Sequence, residues 1–394
     1  MFRDTVKWIS LNPKGSDKMR FLFAAGGTGG HINPALAIAG TIKSRHPEAE
    51  ILFAGTPFGM EAKFVPDAGF DFEPIKVRGI ERGFSLKALK GNIKTIRYLL
   101  TAGKRAKQII TKFKPDVVIG TGGYVSGPIV RTAAKMGIKT IIHEQNAFPG
   151  VTTKLLANDV DIILVAFADA MHHIKTKARM LEVGNPVRED FLFAKKEESR
   201  KALGLDSDKT VILSCGGSLG AKAINLAIMD VLKWHNGEKN IQHIHATGHY
   251  GSLWMPDDLR KNGVDIDNNP NLRVMEYIKN MPQYLAACDL IITRSGAITL
   301  SEIQAQGKAS ILIPSPNVTE NHQFHNAMVL ANAGASVVIE EKDLSGNLLC
   351  KTVEELISDK QKLAEMGKNA SKISKIDANN LIYDEVMSLY RKNK

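Results

Sequence analysis

Four glycines, a threonine and a histidine stand together in GGTGGH (Gly26–His31), between the apolar run Phe21–Ala25 and a proline, Pro34. Glycines between a buried parallel strand and a helix leave backbone N–H groups bare, and the helix N-terminus adds partial positive charge. Such a turn faces a phosphate or a sugar. The spacing is not the dinucleotide fingerprint, because Ile32 stands where the third glycine is needed, and no Gly-Lys-Ser/Thr follows as in a P-loop. The design recurs at GGSLGA (Gly216–Ala221), whose first glycine lies 190 residues after Gly26. In GGYVSGP (Gly122–Pro128), Gly122, Gly123 and Gly127 again keep backbone bare, with Tyr124 and Ser126 as polar probes. RSGAITLSE (Arg294–Glu302) offers a further anion-ready helix start at Ser295, Gly296 and Ala297. Glu302, about one turn into that helix, would repel a phosphate beside it yet suits a pair of sugar hydroxyls farther out. A stabilising helix-terminal acid fits the same position.

Other reactive residues carry less. His143-Glu144 begins HEQNA, but Ala147 stands where a zinc-protease helix needs its second histidine. His243 and His245 share a strand face and His322 and His325 a helix face, pairs that need further ligands to hold a metal and read better as core or surface histidines. Asp206/Asp208 and Asp265/Asp267 lie in polar stretches away from any glycine turn, so they read as solvated turn residues and no essential metal is expected. Cys215, Cys288 and Cys350 are odd in number, far apart and in apolar contexts, as buried reduced thiols are.

The elements that must position these groups alternate strand and helix through both halves. Pro34 suits the first turn of the helix that continues as ALAIAG. Strands are expected at Glu50–Gly55, within Phe70–Val77, and at Asp116–Gly120, Lys139–His143, Val211–Cys215, Ile241–Thr247, Leu272–Tyr277, Leu290–Thr293 and Ser310–Pro314, with a helix at Met281–Cys288. Val183–Arg188 (VGNPVR) reads as the crossing between the halves. Two such runs within 394 residues, 44% hydrophobic and 24% charged, make two doubly wound domains facing each other across a cleft. No stretch approaches a membrane span or a signal peptide. The second strand ends Phe53-Ala54-Gly55-Thr56, without the acid that would hold a dinucleotide ribose, which argues against an NAD enzyme. The net charge of +11 is concentrated between Lys76 and Lys114, where twelve Lys or Arg accompany one acid, Glu81. Leu86, Leu89, Ile93, Ile96 and Leu100 follow helical spacing there. A basic amphipathic segment meets anionic lipid, nucleic acid or a partner helix, unless its apolar stripe simply faces its own core.

GGTGGH, GGYVSGP, HEQN (His143–Asn146), GNPVR (Gly184–Arg188), GGSLGA, RSGAITLSE and NHQFHNA (Asn321–Ala327) fall in the order of the MurG family, the N-acetylglucosaminyltransferases of peptidoglycan synthesis, which the chain resembles over nearly all its length after residue 18. The resemblance implies an α/β GT-B fold of two Rossmann-like domains. Residues 1–18 would be an extension, 19–184 the acceptor and membrane-facing domain, 185–370 the UDP-GlcNAc-binding domain, and 371–394 a C-terminal helix that could pack back on the first domain. It further implies inverting transfer of GlcNAc from UDP-GlcNAc to the 4-hydroxyl of MurNAc in lipid I, giving lipid II and UDP with no cofactor and no metal. By motif, Thr28, Gly29 and Gly30 would face the diphosphate and sugar, Asn146 the GlcNAc, Arg188 and Ile278 the uracil, and Ser218 a phosphate. The helix N-terminus formed by Ala297, Ile298, Thr299, Leu300 and Ser301 would cap the diphosphate, Glu302 would bind ribose hydroxyls and Gln323 the sugar's hydroxyls. Tyr124 and Ser126 would lie on the acceptor side. Inverting transfer needs a base for the acceptor hydroxyl, a task suited to an imidazole, and His31 is the candidate. A lipid-linked acceptor turns Lys76–Lys114 toward an anionic membrane surface rather than nucleic acid, placing the protein peripherally on the cytoplasmic face of the plasma (inner) membrane. Leu219 stands where the family usually has glutamine, removing a polar contact near the donor. A UDP-GlcNAc epimerase or a non-catalytic nucleotide-sugar sensor would use the same architecture; the basic segment favours the transferase.

Overall fold

Runs of apolar residues with little alternation can be buried on both faces only in a parallel sheet covered by helices on each side. The computed structural model, which describes residues 18–77 and 101–393, contains two such sheets. The first has β1 (Arg20–Ala25), β2 (Glu50–Gly55), β3 (Asp71–Pro74), β4 (Val117–Gly122), β5 (Lys139–Glu144), β6 (Ile162–Val165) and β7 (Arg179–Glu182), in the order β3-β2-β1-β4-β5-β6-β7. The second has β8 (Thr210–Cys215), β9 (Ile241–Ala246), β10 (Leu272–Met275), β11 (Leu290–Thr293), β12 (Ala309–Leu312) and β13 (Ser336–Val338), in the order β10-β9-β8-β11-β12-β13. Every pairing is parallel. In each sheet the strand order reverses beside one strand, β1 in the first and β8 in the second. A crevice opens at such a point beyond the strands' carboxyl ends, and those are the ends that carry GGTGG and GGSLG.

The first helix corrects one expectation. It spans Gly29–Arg45, so two of the glycines are helical and Pro34 lies inside rather than in the first turn. Thr28 is the N-cap residue, and its carbonyl accepts from both His31 and Ile32 N–H. Glycine in a helix costs about 1 kcal/mol against alanine, offset here by burying Ile32, Ala35, Ile38, Ala39 and Ile42. Cys350 is a second correction: Cys215 and Cys288 are buried, but Cys350 is half-exposed. Near the end of the chain the helix Ala378–Lys392 returns to the first sheet. Its Ile382, Val386, Met387 and Leu389 join Phe21, Phe23 and Ile42 in one apolar cluster. Arg45 stacks over the Tyr383 ring at 4.2 Å, and Tyr383 Oη meets His46 Nε2 at 2.7 Å.

Most of the basic stretch, with Leu86, Leu89, Ile93, Ile96 and Leu100, lies outside the described residues, as does the expected extension apart from Lys18. Its described end, residues 101–113, is helical and buries Ala102, Ala106, Ile109 and Ile110 in the first domain's core. Arg105 and Lys112 pair with Glu73, while Lys104 and Lys107 stay exposed. Among the described residues no helix is long and apolar enough to cross a membrane.

The second domain carries a buried histidine chain. His235 and His243 meet through their Nδ1 atoms at 2.9 Å, His243 Nε2 lies 2.7 Å from Ser214 Oγ, and that hydroxyl lies 2.8 Å from His245 Nδ1. Burial holds all three imidazoles neutral, pushing His235 down to about 4, His245 to about 3 and His243 well below its ordinary value. The unfolded chain takes up these protons near pH 6.5 and the folded one only at lower pH. Stability is therefore full above about pH 6.5 and falls below it, by up to ~1.4 kcal/mol per pH unit for each imidazole. Urea unfolding midpoints at pH 7 and pH 5 should differ, and in a His245→Gln variant that difference should shrink.

Candidate active site

At the first crevice the glycine turn is backed by carboxylates. Glu61, fully buried, accepts from Gly27 N–H at 3.2 Å, Thr56 N–H at 2.9 Å and the Thr56 hydroxyl at 2.6 Å. Glu144, at the end of β5, accepts from Asn146 N–H at 3.0 Å, Asn146 Nδ2 at 3.1 Å, Gly150 N–H at 2.9 Å and the Thr153 hydroxyl at 2.5 Å. The Gly27 amide is thus spent inward, and two buried carboxylates lie behind a turn whose glycines alone fit a phosphate or a sugar. His31 sits in the first turn of its helix with Nδ1 3.2 Å from Gly26 O and 3.4 Å from Thr28 Oγ1. Its ring packs on Gly122, where φ is +109° and an added Cβ would come within 2.6 Å of the imidazole. Burial lowers the His31 pKa, partly opposed by Glu144, the Gly26 carbonyl and Glu61. The ring is neutral at pH 7, and with hydrogen on Nδ1 its Nε2 holds the lone pair of a base.

Tyr124 is exposed at this mouth, but Ser126 is not a probe. It is buried, with Oγ 2.7 Å from Ala24 O and 2.8 Å from Gly122 O, accepting from Gly122 N–H at 3.1 Å. A small hydroxyl that pins a strand end to the following turn has the same sequence signature as one facing solvent.

At the second mouth no carboxylate among the described residues accepts a hydrogen bond from the glycine turn; its acids are Glu341, paired with Arg294 in the cavity, and Glu302, near Cys215. The GGSLG turn is fastened by His249 N–H to Ser218 O and Tyr250 N–H to Leu219 O, both 3.1 Å, leaving the Ser218 and Leu219 side chains exposed. Gly248, at φ +71°, passes so close to Gly220 that an added Cβ would lie 2.1 Å from its nitrogen. A cavity of 400 Å³ joins Gly216, Gly220, Lys222, Arg294, Gln323 and Glu341. Gln323 is half-buried, its Oε1 accepting from Ser315 N–H at 2.8 Å. The helix Ala297–Ala305 starts at N-cap Gly296, and its first three amides, those of Ala297, Ile298 and Thr299, have no intrahelical partner. Leu300 N–H is already bonded to Gly296 O, and the Leu300 side chain is buried, so Leu300 does not face the mouth. Ser301 points away too, donating to Ala297 O at 3.1 Å and accepting from Asn185 Nδ2 at 3.1 Å. Glu302, in the second turn, is raised to about 7 by burial, with Arg188 pulling down and Asp190 pushing up. Arg188 is exposed, its guanidinium 5.0 Å from the Phe191 ring. Ile278 is buried in the apolar cluster that also holds Val187 and Phe191, so its side chain is not open to a ligand.

The two mouths open on one cleft. Asn326, buried on the second domain's helix His322–Asn332, accepts from Ala147 N–H at 2.8 Å and donates to Asn146 Oδ1 at 3.1 Å. Asn146 is half-buried, keeping one amide hydrogen and one lone pair for a ligand. Asn185 Nδ2 bridges Gln145 O and Ser301 Oγ. Phe148 stacks on His325 at 4.8 Å and meets His173 at 4.6 Å, with Lys154 4.0 Å above its ring. His322, across the cleft, lies close enough to Glu144 and His31 to interact electrostatically with both. Glu61, Asn185, Asn326 and Phe148 were not singled out from sequence. Asn326 alone left a local signal, a polar residue in phase with buried Ala327 and Leu330. Among the described residues no group of three or more His, Cys, Asp or Glu side chains is placed to hold a metal ion.

Residues 21–165 match the glycosyltransferase family 28 N-terminal domain and residues 211–382 its C-terminal domain. The chain is 47% identical, over 94% of its length and all of the relative, to the UDP-N-acetylglucosamine–N-acetylmuramyl-(pentapeptide) pyrophosphoryl-undecaprenol N-acetylglucosamine transferase of Thermoanaerobacter sp. strain X514. It is 43% identical, over 95% of its length and 99% of the relative, to the protein of that name from Acetivibrio thermocellus. Among solved structures it is similar to Acinetobacter baumannii MurG, with TM-score 0.75, 28% identity, and coverage of 94% of this chain and 99% of that one.

Proposed function

The chain belongs to glycosyltransferase family 28, in its MurG branch of GT-B enzymes, and on that premise we propose how its two mouths divide the transfer of GlcNAc from UDP-GlcNAc to the 4-hydroxyl of MurNAc in lipid I. The second domain takes the nucleotide. Its helix amides at Ala297, Ile298 and Thr299, with Ser218 and Arg188, face the diphosphate, whose charge grows as the bond to the sugar breaks. The Glu302 carboxylate accepts from the ribose hydroxyls, and the Ile278 backbone and Arg188 border the uracil. Gln323 and Asn146 hold the GlcNAc hydroxyls from opposite sides, while Thr28, Gly29 and Gly30 form the neutral wall between sugar and acceptor. Tyr124 lies along the acceptor. His31 Nε2 takes the proton of the attacking hydroxyl as the new bond forms on the face opposite the departing UDP, inverting the anomeric centre. The observation that carries this reading is a neutral imidazole on the carboxylate-backed mouth, sharing a cleft with a mouth whose helix amides are free. Labelled UDP-GlcNAc and a lipid I analogue, with and without chelator, should give lipid II and UDP; UDP-GlcNAc left intact, or epimerised, would defeat it.

The acceptor's lipid brings the protein to the cytoplasmic face of the plasma (inner) membrane as a peripheral protein, through the Lys76–Lys114 stretch. Each Lys or Arg near an anionic surface is worth ~1 kcal/mol. Reversing Lys87, Lys90 and Lys94 to glutamate should weaken sedimentation with phosphatidylglycerol vesicles at least ~100-fold on that scale, with UDP-GlcNAc binding unchanged. Equal vesicle binding by the variant would place the membrane contact elsewhere.

A further inference from the structure

Gly26 and Gly27 share one peptide unit, and that unit is gripped at both ends. Its N–H donates to Glu61 Oε2 at 3.2 Å, and its carbonyl lies 3.2 Å from His31 Nδ1. The amide between them conducts polarisation, because pulling on the hydrogen increases the negative charge on the oxygen. Glu61 is otherwise an expensive residue. It is fully buried, pairs with no Lys or Arg among the described residues, and takes three donors that a glutamine could not satisfy with one acceptor oxygen.

We propose that Glu61 is a positioning residue for His31, acting through the Gly26–Gly27 peptide to hold the imidazole hydrogen on Nδ1 and so keep Nε2 as the base. The arrangement is a carboxylate–histidine pair with a peptide inserted between its members. It does what a directly bonded carboxylate does for a histidine, fixing tautomer and ring orientation and favouring the imidazolium once the proton has arrived. The inserted peptide also keeps the charge out of the mouth, where a bare carboxylate beside His31 would compete for the acceptor hydroxyl. Two contacts keep the geometry rigid. An added Cβ at Gly26 would lie 2.6 Å from Glu61 Oε1, so carboxylate and turn touch, and one at Gly122 would lie 2.6 Å from His31 Cδ2, so Gly122 packs directly on the imidazole. The other titratable groups facing His31 are Glu144 from β5 and His322 from the helix across the cleft. This inference rests on His31 being the base.

The test uses the full chain, with histidine nitrogens labelled, and three readouts. In the unmodified protein at pH 8 the long-range proton–nitrogen spectrum should show His31 with hydrogen on Nδ1; hydrogen on Nε2 overturns the proposal whatever any variant does. Glu61→Gln should lower kcat about 10- to 100-fold with donor KM within twofold, the range seen when a group supporting a histidine is lost. The acidic limb of its kcat–pH profile should move to lower pH, because removing a negative charge makes the imidazole harder to protonate. A lost fold would lower activity without moving that limb, and unchanged donor binding by calorimetry identifies folded protein. A folded Glu61→Gln with unmoved limb and unchanged kcat overturns the proposal. His31→Ala separates the two claims: if it keeps normal turnover, the base assignment itself fails, whereas an inactive His31→Ala beside an unaffected Glu61→Gln removes only the role of Glu61.

Discussion

His31→Ala should lower kcat about 10²- to 10⁴-fold, the range for losing a positioned general base, while the KM for UDP-GlcNAc stays within twofold. The split comes from where the ring sits. It is on the first domain, between Gly26 and Gly122, and the proposed donor contacts lie mostly on the second. On the proposed assignment the imidazole makes no ground-state contact with the nucleotide, so removing it should cost only transition-state stabilisation. Burial lowers its pKa, so the unmodified enzyme should lose turnover only on the acid side of the ordinary histidine value, where the ring charges. Steady-state kinetics with saturating lipid I analogue measure both parameters. A variant with normal turnover would leave the hydroxyl's proton to water or another group.

Glu302→Ala should raise the KM for UDP-GlcNAc about 10- to 100-fold with kcat little changed, as expected when hydrogen bonds to a charged group worth ~1.5–3 kcal/mol are lost. The acid also carries a pH signature. Its pKa is raised to about 7 by burial, and the ionised form accepts from two ribose hydroxyls, one on each oxygen, far better than the protonated form, which must turn an O–H toward them. Donor affinity should therefore be full above about pH 7 and fall as pH drops below it, approaching tenfold per unit. Bound donor in turn favours ionisation and shifts the group down. In Glu302→Gln the affinity should be low at every pH and this dependence should vanish. Calorimetric titration with UDP between pH 5.5 and 8.5 reads both effects, and a flat profile in the unmodified protein would assign the ribose to another residue.

The two glycine turns and the strands feeding them were legible because buried parallel strands are written as local apolar runs, and glycine pairs at their ends are punctuation. Pro34 misled because a helix start through Gly29 and Gly30 runs against propensity and is set by packing of Ile32 and Ala35. Ser126 misled because exposure is not a local property. The acids told least. Glu61 reaches Gly27 across 34 positions and Asn326 reaches Asn146 across 180, distances at which no periodicity survives. Hence the sequence showed two similar turns, and only the fold revealed that the first has a buried carboxylate bonded to its own backbone.

That asymmetry has a consequence for the products. Cleavage leaves the nucleotide with one more negative charge than it brought, and Glu61 and Glu144 stand fixed behind the opposite wall of the cleft. On the proposed assignment the freed UDP should be pushed toward the half that carried it in, while the uncharged disaccharide end should feel no such push. Return would climb the same slope, so these buried acids should bias bound UDP away from the first wall, an effect that Glu302 and Glu341 on the donor side oppose in part.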